Sequence, residues 1–355
     1  MKVLYPVLLL MHYHKIIAVP SVQIQKKDLT CLSIQKPNMP ANYPIQDSSG
    51  RQFKTLRVSL TAVCNMACVY CVTPGAIHTP SAEKVLTVEE YLSIIKNIHS
   101  QVGLKTIRLT GGEPLLFKEL PVLIKGIKAL GITDIKLTTN GLKLLSVLDA
   151  LVEAGLTSIN ISLDALDPAV FRNITKNQDL RAVLDGIEAA RHKGIAIKIN
   201  TVVLRGVNDH QIIPLLEYAS ARNIPIRFLE LMKMGYLHYN ESDYFFGMDD
   251  IVEKISSVTS VAKMDRAPSN TATYWQTSKG MVFGVIANES EPFCSDCNRL
   301  RLDSYGKIYG CISASEGIQI KHQSAEQLSF SLQNALAQKQ EYFTGSEISM
   351  KHLGG

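Results

Sequence analysis

The 355-residue chain is poor in charge: Lys, Arg, Asp and Glu make up 19% of it, and the formal net charge is +5. A bias that small gives no footing for nucleic-acid binding and fits an anionic small substrate. No apolar run is long enough to cross a membrane. Met1–Met11 (MKVLYPVLLLM) sets Lys2 before a short apolar stretch, but Pro6 interrupts it and His12 to Lys15 follows without a small-residue cleavage site, so it reads as an extension rather than an export signal. There is no low-complexity tract, and no repeat beyond a strand–helix unit. No general acid–base pair can be picked out. The 7 cysteines are an odd number, which does not suit a disulfide framework. Six fall into two tight groups, a pattern of metal ligation in a reducing compartment. The seventh, Cys31, reads as a free thiol.

What is present is a core and a rhythm. At 46% apolar the chain can bury a large core. Residues 1–47 lack periodicity, and Pro37, Pro40 and Pro44 mark an extended lead-in without fixed structure. Strands are then expected at Leu56–Leu60, Thr106–Thr110, Asp134–Thr138, Ser158–Leu163, Ala196–Leu204 and Ile226–Met232. Helices are expected between them, the first opened by a capping box of Thr87 and Glu90. Short links between such units imply parallel strands with right-handed crossovers. The predicted class is α/β: a partial TIM-like (β/α)6 barrel over residues 48–262, its strands buried on both faces and its function at their C-terminal ends. A smaller C-terminal α+β domain, residues 263–355, is expected to carry two hairpins, a helix over Leu328–Lys339 and a polar tail.

Cys64, Cys68 and Cys71 stand with three and then two residues between them, and Tyr70 precedes the last. Three thiolates so spaced can hold three irons of a cubane [4Fe–4S] cluster and leave the fourth open, where chemistry happens. Zinc, or plain core cysteines, is the alternative. Cys294, Cys297 and Cys311 repeat the three-thiolate arrangement, with zinc again the alternative. Gly111-Gly112-Glu113-Pro114 ends the second strand; its carbonyls and the Glu113 carboxylate can accept hydrogen bonds from an ammonium group, and its glycines let a ligand approach the backbone. Thr138-Thr139-Asn140-Gly141 and Ser162-Leu163-Asp164 put hydroxyls at strand ends. Alternation in Asn298-Arg299-Leu300-Arg301-Leu302 sets both arginines on one face, where they suit a polyphosphate or purine edge; a solvated basic edge strand is the other reading.

The first cysteine group followed one strand later by the Gly-Gly-Glu-Pro turn resembles the radical S-adenosylmethionine superfamily. From about Gly50 to Gly355 the chain resembles the GTP 3′,8-cyclase family of molybdenum-cofactor biosynthesis. The resemblance rests on Arg57 seven residues before Cys64, both cysteine groups, Asn298 to Arg301 and the terminal Gly354-Gly355. It implies two [4Fe–4S] clusters and S-adenosyl-L-methionine as cofactors. Cys64, Cys68 and Cys71 would hold the cluster that cleaves S-adenosylmethionine, with Tyr70, Gly112, Glu113, Ser162 and Met232 around that cofactor. Cys294, Cys297 and Cys311 would hold the cluster that binds the guanine of GTP. Arg57, Arg108, Thr139, Lys198, Arg227, Asn298, Arg299 and Arg301 would bind substrate, and Arg299, Arg301, Gly354 and Gly355 would serve catalysis, the tail threading between the clusters. The implied reaction takes hydrogen from ribose C3′ and joins C3′ to guanine C8. Implied partners are GTP, an electron donor such as flavodoxin or ferredoxin, and the next enzyme, cyclic pyranopterin monophosphate synthase. A homodimer and a cytoplasmic location are further expectations, with no nucleic acid and no membrane. Departures from the family pattern stand at Ala62-Val63, Ala67, Val72-Thr73 and Ser349-Met350. Rival readings are a peptide-modifying radical enzyme with an auxiliary cluster and a non-catalytic iron–sulfur regulator.

Overall fold

The computed structural model describes residues 45–73, 84–177, 179–238 and 243–354. The expectations for residues 1–44, including Cys31, and for Gly355 lie outside the described residues. Residues 44–355 make one compact unit.

Six strands follow the expected rhythm: β1 (Thr55–Ser59), β2 (Thr106–Thr110), β3 (Asp134–Thr139), β4 (Ser158–Ser162), β5 (Ala196–Val202) and β6 (Ile226–Leu229). Between them run α1 (Val88–Val102), α2 (Leu120–Ala129), α3 (Leu144–Ala154), α4 (Pro168–Thr175), α5 (Leu180–His192) and α6 (Ile212–Ser220). The Thr87–Glu90 capping box forms, and Gly103 closes α1 in the left-handed conformation that glycine takes without strain. The sequence reading lacked α4, a short helix that Asp167 caps through the amides of Ala169 and Val170.

The chain continues through α7 (Met248–Ser256), β7 (Val261–Lys263), β8 (Thr273–Thr277), β9 (Val282–Ile286), β10 (Arg299–Leu302), β11 (Lys307–Tyr309), β12 (Ile318–Gln319), α8 (Ala325–Ala337) and α9 (Met350–Leu353). Both expected hairpins are present, and α8 starts earlier than periodicity suggested because Ser324 and Gln327 form a capping box. All twelve strands share one sheet, in the order β12-β11-β10-β1-β2-β3-β4-β5-β6-β9-β8-β7. The sheet runs straight through the division expected at residue 262: β10 pairs parallel with β1, and β9 pairs parallel with β6. The six expected parallel strands are thereby flanked by two more, and the C-terminal hairpins hang antiparallel from each side.

One expectation needs correction. The strands are not apolar on both faces. In β1, Leu56 and Val58 are fully buried, while Thr55 and Arg57 point the other way and remain partly accessible. The same alternation recurs in β2 and β3. The helix-facing side is therefore the core, and the inner side is a polar wall. The polar tail is held in the fold: Leu353 is 0% exposed and packs with Met234, Tyr309, Cys311 and Ala314.

The lead-in after residue 44 belongs to the core. Ile45 and Phe53 are buried, and Asp47 pairs with Arg51. Phe53→Ala should lower unfolding free energy by about 3–5 kcal/mol in chemical denaturation. An unchanged midpoint would mean that this segment does not hold the barrel.

Candidate functional site

Backbone contacts from several elements fix the first cysteine loop. It follows β1 and lies against the turn after β2, where Gly112 N donates to Thr61 O and Glu113 N to Val63 O. A Cβ at Gly111 would stand 2.6 Å from Thr61 O, and one at Gly112 would stand 2.4 Å from Val63 O. The two glycines thus admit the cysteine loop's own backbone, and both also line the cavity onto which that loop opens. The end of α4 takes the other side, with Ala67 N donating to Thr175 O and Val69 N to Ile174 O. Asn140 Nδ2 donates to Asn65 Oδ1 at 2.7 Å and lies 3.7 Å from Cys64 Sγ.

Cys64, Cys68 and Cys71 open onto one cavity of about 200 Å³, shared with Tyr70, Gly112, Ser162 and Met232 as expected. The three thiols are not in disulfides. Burial pushes Cys64 up to about 11 and holds Cys68 well above its usual value, with neighbouring carboxylates and thiols adding to it. Iron is what would turn such thiols into thiolates. Among the described residues no three His, Cys, Asp or Glu side chains can hold a single metal ion. Three thiols opening onto one cavity fit a cubane, which takes one thiolate per iron.

Two placements differ from expectation. Glu113 does not face this cavity. It is buried and accepts from Thr139 Oγ1 at 2.6 Å, Asn140 N at 2.8 Å and Leu115 N at 2.9 Å. Its carboxylate pins the end of β3 and, through Asn140, the cysteine loop; both of its oxygens accept hydrogen bonds from the fold. Thr139 likewise turns to Glu113 and lines the cysteine cavity, while its neighbour Thr138 borders both this cavity and the next. Sequence reasoning also passed over Asp164, which accepts from Tyr70 Oη at 2.8 Å and from Val202 N.

The second cavity, about 450 Å³, adjoins the first through Thr138, Asn200, Leu229, Met232 and Met350. Cys294, Cys297 and Cys311 open onto it. So do Asn298, Arg299, Arg301, Arg57, Arg108, Lys198 and Arg227, all as expected, together with Lys136 and Lys339, which sequence reasoning missed. No Asp or Glu among the described residues lines it. Except for Arg299, which opens β10, and Lys339, which follows α8, the basic residues are not at strand ends. They sit mid-strand on the inner wall, and sheet register sets them in a row: Arg301 opposite Arg57, Arg57 opposite Arg108, Arg108 opposite Lys136. Burial, then Arg301, Arg108 and Arg299, pull the Arg57 guanidinium well below its usual pKa, and its Nε is buried without a partner. Arg108 is lowered to about 10 by burial and by Arg227 and Arg299. Register could have revealed Lys136, since alternation in β3 puts it beside Arg108. Lys339 gave no signal, because a lysine after a helix reads as a C-terminal cation.

The second cysteine loop is likewise clamped. Arg51 Nη1 donates to the carbonyls of Cys294 and Ser295, Arg266 pairs with Asp296 at 2.7 Å, and Ser269 N donates to Asp296 at 2.9 Å. Cys297 differs from the other cysteines: burial raises its thiol, but Lys339 and Arg299 prevail and bring it to about 7.

The chain's last residues reach both cavities. Met350 lines both, Lys351 lines the first, and Ser349 Oγ donates to Cys71 O. Arg301 Nη1 donates to the carbonyls of Leu353 and Gly354. Gly354 has φ 78°, and a Cβ there would stand 2.2 Å from Thr110 Cγ2. Only glycine fits. Gly354→Ala should therefore free residues 349–354, seen as faster amide exchange of Met350–Leu353, while the cysteine loops keep their protection. Unchanged exchange would refute the tight seat.

Glu113 supplies a pH dependence. Burial raises its carboxyl from 4.5 to about 7. A raised folded-state value means its contribution to stability is complete below about 4.5 and is lost as pH rises through about 7, up to about 3 kcal/mol in all. Glu113→Gln should flatten that part of the stability–pH curve. A curve parallel to wild type from pH 4.5 to 7.5 would contradict it.

The comparisons accord with this geometry. The Radical SAM superfamily pattern matches residues 58–219, and the Molybdenum Cofactor Synthesis C pattern matches residues 224–344. A GTP 3′,8-cyclase of Synechocystis sp. is 38% identical over 319 residues, 89% of this chain and 97% of that one. A GTP 3′,8-cyclase of Staphylococcus epidermidis is 39% identical over 292 residues, 78% of this chain and 84% of that one. Among solved structures, Streptococcus suis SuiB bound to precursor peptide SuiA superposes with TM-score 0.59 at 13% identity; the match spans 82% of this chain and 65% of that one, and shares the fold alone. The chain belongs to the GTP 3′,8-cyclase family of the radical S-adenosylmethionine superfamily.

Proposed function

We propose that this chain converts GTP to 3′,8-cyclo-7,8-dihydroguanosine 5′-triphosphate for molybdenum-cofactor synthesis, using S-adenosylmethionine and two [4Fe–4S] clusters. One observation carries the reading: two three-thiol loops open onto adjoining cavities, and the wall of the second is basic, without a carboxylate. Cys64, Cys68 and Cys71 would hold one cluster, and Cys294, Cys297 and Cys311 the other. Held by Cys64, Cys68 and Cys71, a reduced cluster would supply the electron for reductive cleavage of S-adenosylmethionine, the source of the hydrogen-abstracting chemistry at ribose C3′.

The remaining work falls to the chain. Arg57, Arg108, Lys198 and Arg227 offer donors to the triphosphate, and Arg299 and Asn298 offer theirs beside the second cysteine loop. Arg227 is held for this by Asn200, which accepts from its Nε at 2.9 Å. Gly284 leaves room for it, since a Cβ there would stand 3.2 Å from Arg227 Cγ. Leu229, Met232 and Met350 form an apolar partition between the two cavities, which keeps water from the line between cofactor and ribose. Arg301 anchors the tail that carries Met350. A peptide substrate would have no use for so many cations and no carboxylate. The reading brings with it an external one-electron donor of the flavodoxin or ferredoxin kind, hand-over of product to cyclic pyranopterin monophosphate synthase, and a cytoplasmic setting suited to oxygen-sensitive clusters. Among the described residues no helix is long and apolar enough to cross a membrane.

The test is anaerobic incubation of reconstituted protein with GTP, S-adenosylmethionine and dithionite, with products identified by mass. The cyclised nucleotide and 5′-deoxyadenosine should appear together. Cys68→Ala should abolish both while leaving the second cluster's iron. Arg299→Ala should weaken GTP binding in calorimetric titration by about 1.5–3 kcal/mol, the worth of a charge-assisted contact. Deoxyadenosine formation by the Cys68 variant, or unconsumed GTP in the wild type, would overturn the reading.

A further inference from the structure

Lys339 lies outside the roles assigned so far. It follows α8 and turns inward. Its Nζ donates to Arg299 O at 2.7 Å and to Cys297 Sγ at 3.4 Å, and stands 4.9 Å from the centre of the Phe53 ring. Three separate stretches thus converge on one ammonium: the lead-in through Phe53, β10 through the Arg299 carbonyl, and the second cysteine loop through Cys297. The carbonyl and the ring fix its position, so the sulfur contact is imposed by the fold rather than chosen by a free side chain. Among the described residues Cys297 also receives Arg299 Nη1, at 3.7 Å, whereas Cys294 and Cys311 receive no side-chain donor.

We propose that Lys339 is a positioning residue that sets the reduction potential of the second cluster through its charge-assisted hydrogen bond to Cys297. This rests on the two-cluster reading above. Hydrogen bonds and positive charge at a cluster thiolate favour the more negative, reduced cluster, and so raise its potential. The contact falls on one of three thiolates and comes from a cation that also lines the substrate cavity, so the cluster nearest the substrate is the one so tuned. Arg301 differs in that its Nη1 donates to the tail carbonyls, so its charge reaches Cys297 and Cys311 without a hydrogen bond to either sulfur.

The experiment uses the reconstituted full chain, with iron counted per chain and each cluster titrated potentiometrically by its paramagnetic resonance signal; a background in which Cys64, Cys68 and Cys71 are alanine isolates the second. Wild type should carry about eight irons. Lys339→Met should retain them, leave the first cluster's potential in place, and lower the reduced-to-oxidised ratio of the second at least tenfold at fixed poise, equivalent to 59 mV for one electron. Lys339→Arg, which keeps the charge, should recover most of that ratio. If Lys339→Met loses iron, Lys339→Gln, a donor without charge, takes its place in the same titration. An unmoved second cluster, or an equal shift of both clusters, overturns the proposal. A wild-type count near four irons overturns the two-cluster reading, and the proposal with it.

Discussion

The structure turns on the parallel register that lines up Arg301, Arg57, Arg108 and Lys136 across four adjacent strands of the inner wall. Neighbouring strands are about 4.8 Å apart. Two unit charges about 5 Å apart repel by about 3 kcal/mol at an effective dielectric of about 20. Among the described residues no carboxylate lines the cavity, and along this row the repulsion is offset by an ion pair only at Lys136, which meets Asp134 at 3.0 Å. It is tolerated because the other face of the same strands carries Leu56, Val58, Ile107, Leu109, Ile135 and Leu137, all fully buried under the helices. One strand face therefore stabilises the fold while the other is held in an electrostatically unfavourable state that a polyanion relieves. Stability and function are separated by the two-residue period of a strand.

The same constraint accounts for the tail. A buried guanidinium without acceptors is costly, and at Arg301 the acceptors are the carbonyls of Leu353 and Gly354. The backbone of the last residues is thus held by a charge, while Leu353 adds apolar burial beneath it. The close approach at Thr110 explains why the residue there is glycine. A short peptide segment can seat firmly in this way although its composition is polar, because what it contributes is main-chain oxygen rather than hydrophobic surface.

Much of this was legible in the sequence, and the limits of legibility have physical reasons. The strand–helix alternation was plain because the helix-facing side must be apolar at a fixed period. Both cysteine groups were plain because ligation demands local spacing. Arg299 and Arg301 were read correctly as sharing a face, since alternation needs only one strand. Lys136 and the mid-strand position of Arg57, Arg108 and Lys198 were not, because they depend on how separate strands register. For Glu113 the sequence could not show that Thr139 and Asn140, at the end of another strand, donate to its carboxylate. The glycines of that turn were recognised as sites of close approach, but the approach of the cysteine loop's backbone to them is a contact that only the fold shows. Lys339 was invisible because its partners lie about 40 and 290 residues away in the chain.

These limits also bear on how a barrel of this kind comes to have an interior site. In a closed eight-stranded barrel, layers of side chains fill the inside and chemistry is confined to the loops at the strands' C-terminal ends. Here the parallel strands never close, because β9 and β10 continue into antiparallel hairpins instead of meeting. The inside need not be packed, and it becomes a cavity of about 450 Å³ reaching down to Thr55 and Thr106 at the starts of their strands. The first cysteine loop still occupies the C-terminal ends, as in any such barrel. The second comes in from the chain that would otherwise have closed it. An open sheet thus lets two ligand loops from opposite ends of the chain face adjoining cavities, and the few residues that border both, Met232 and Met350 among them, decide what passes between.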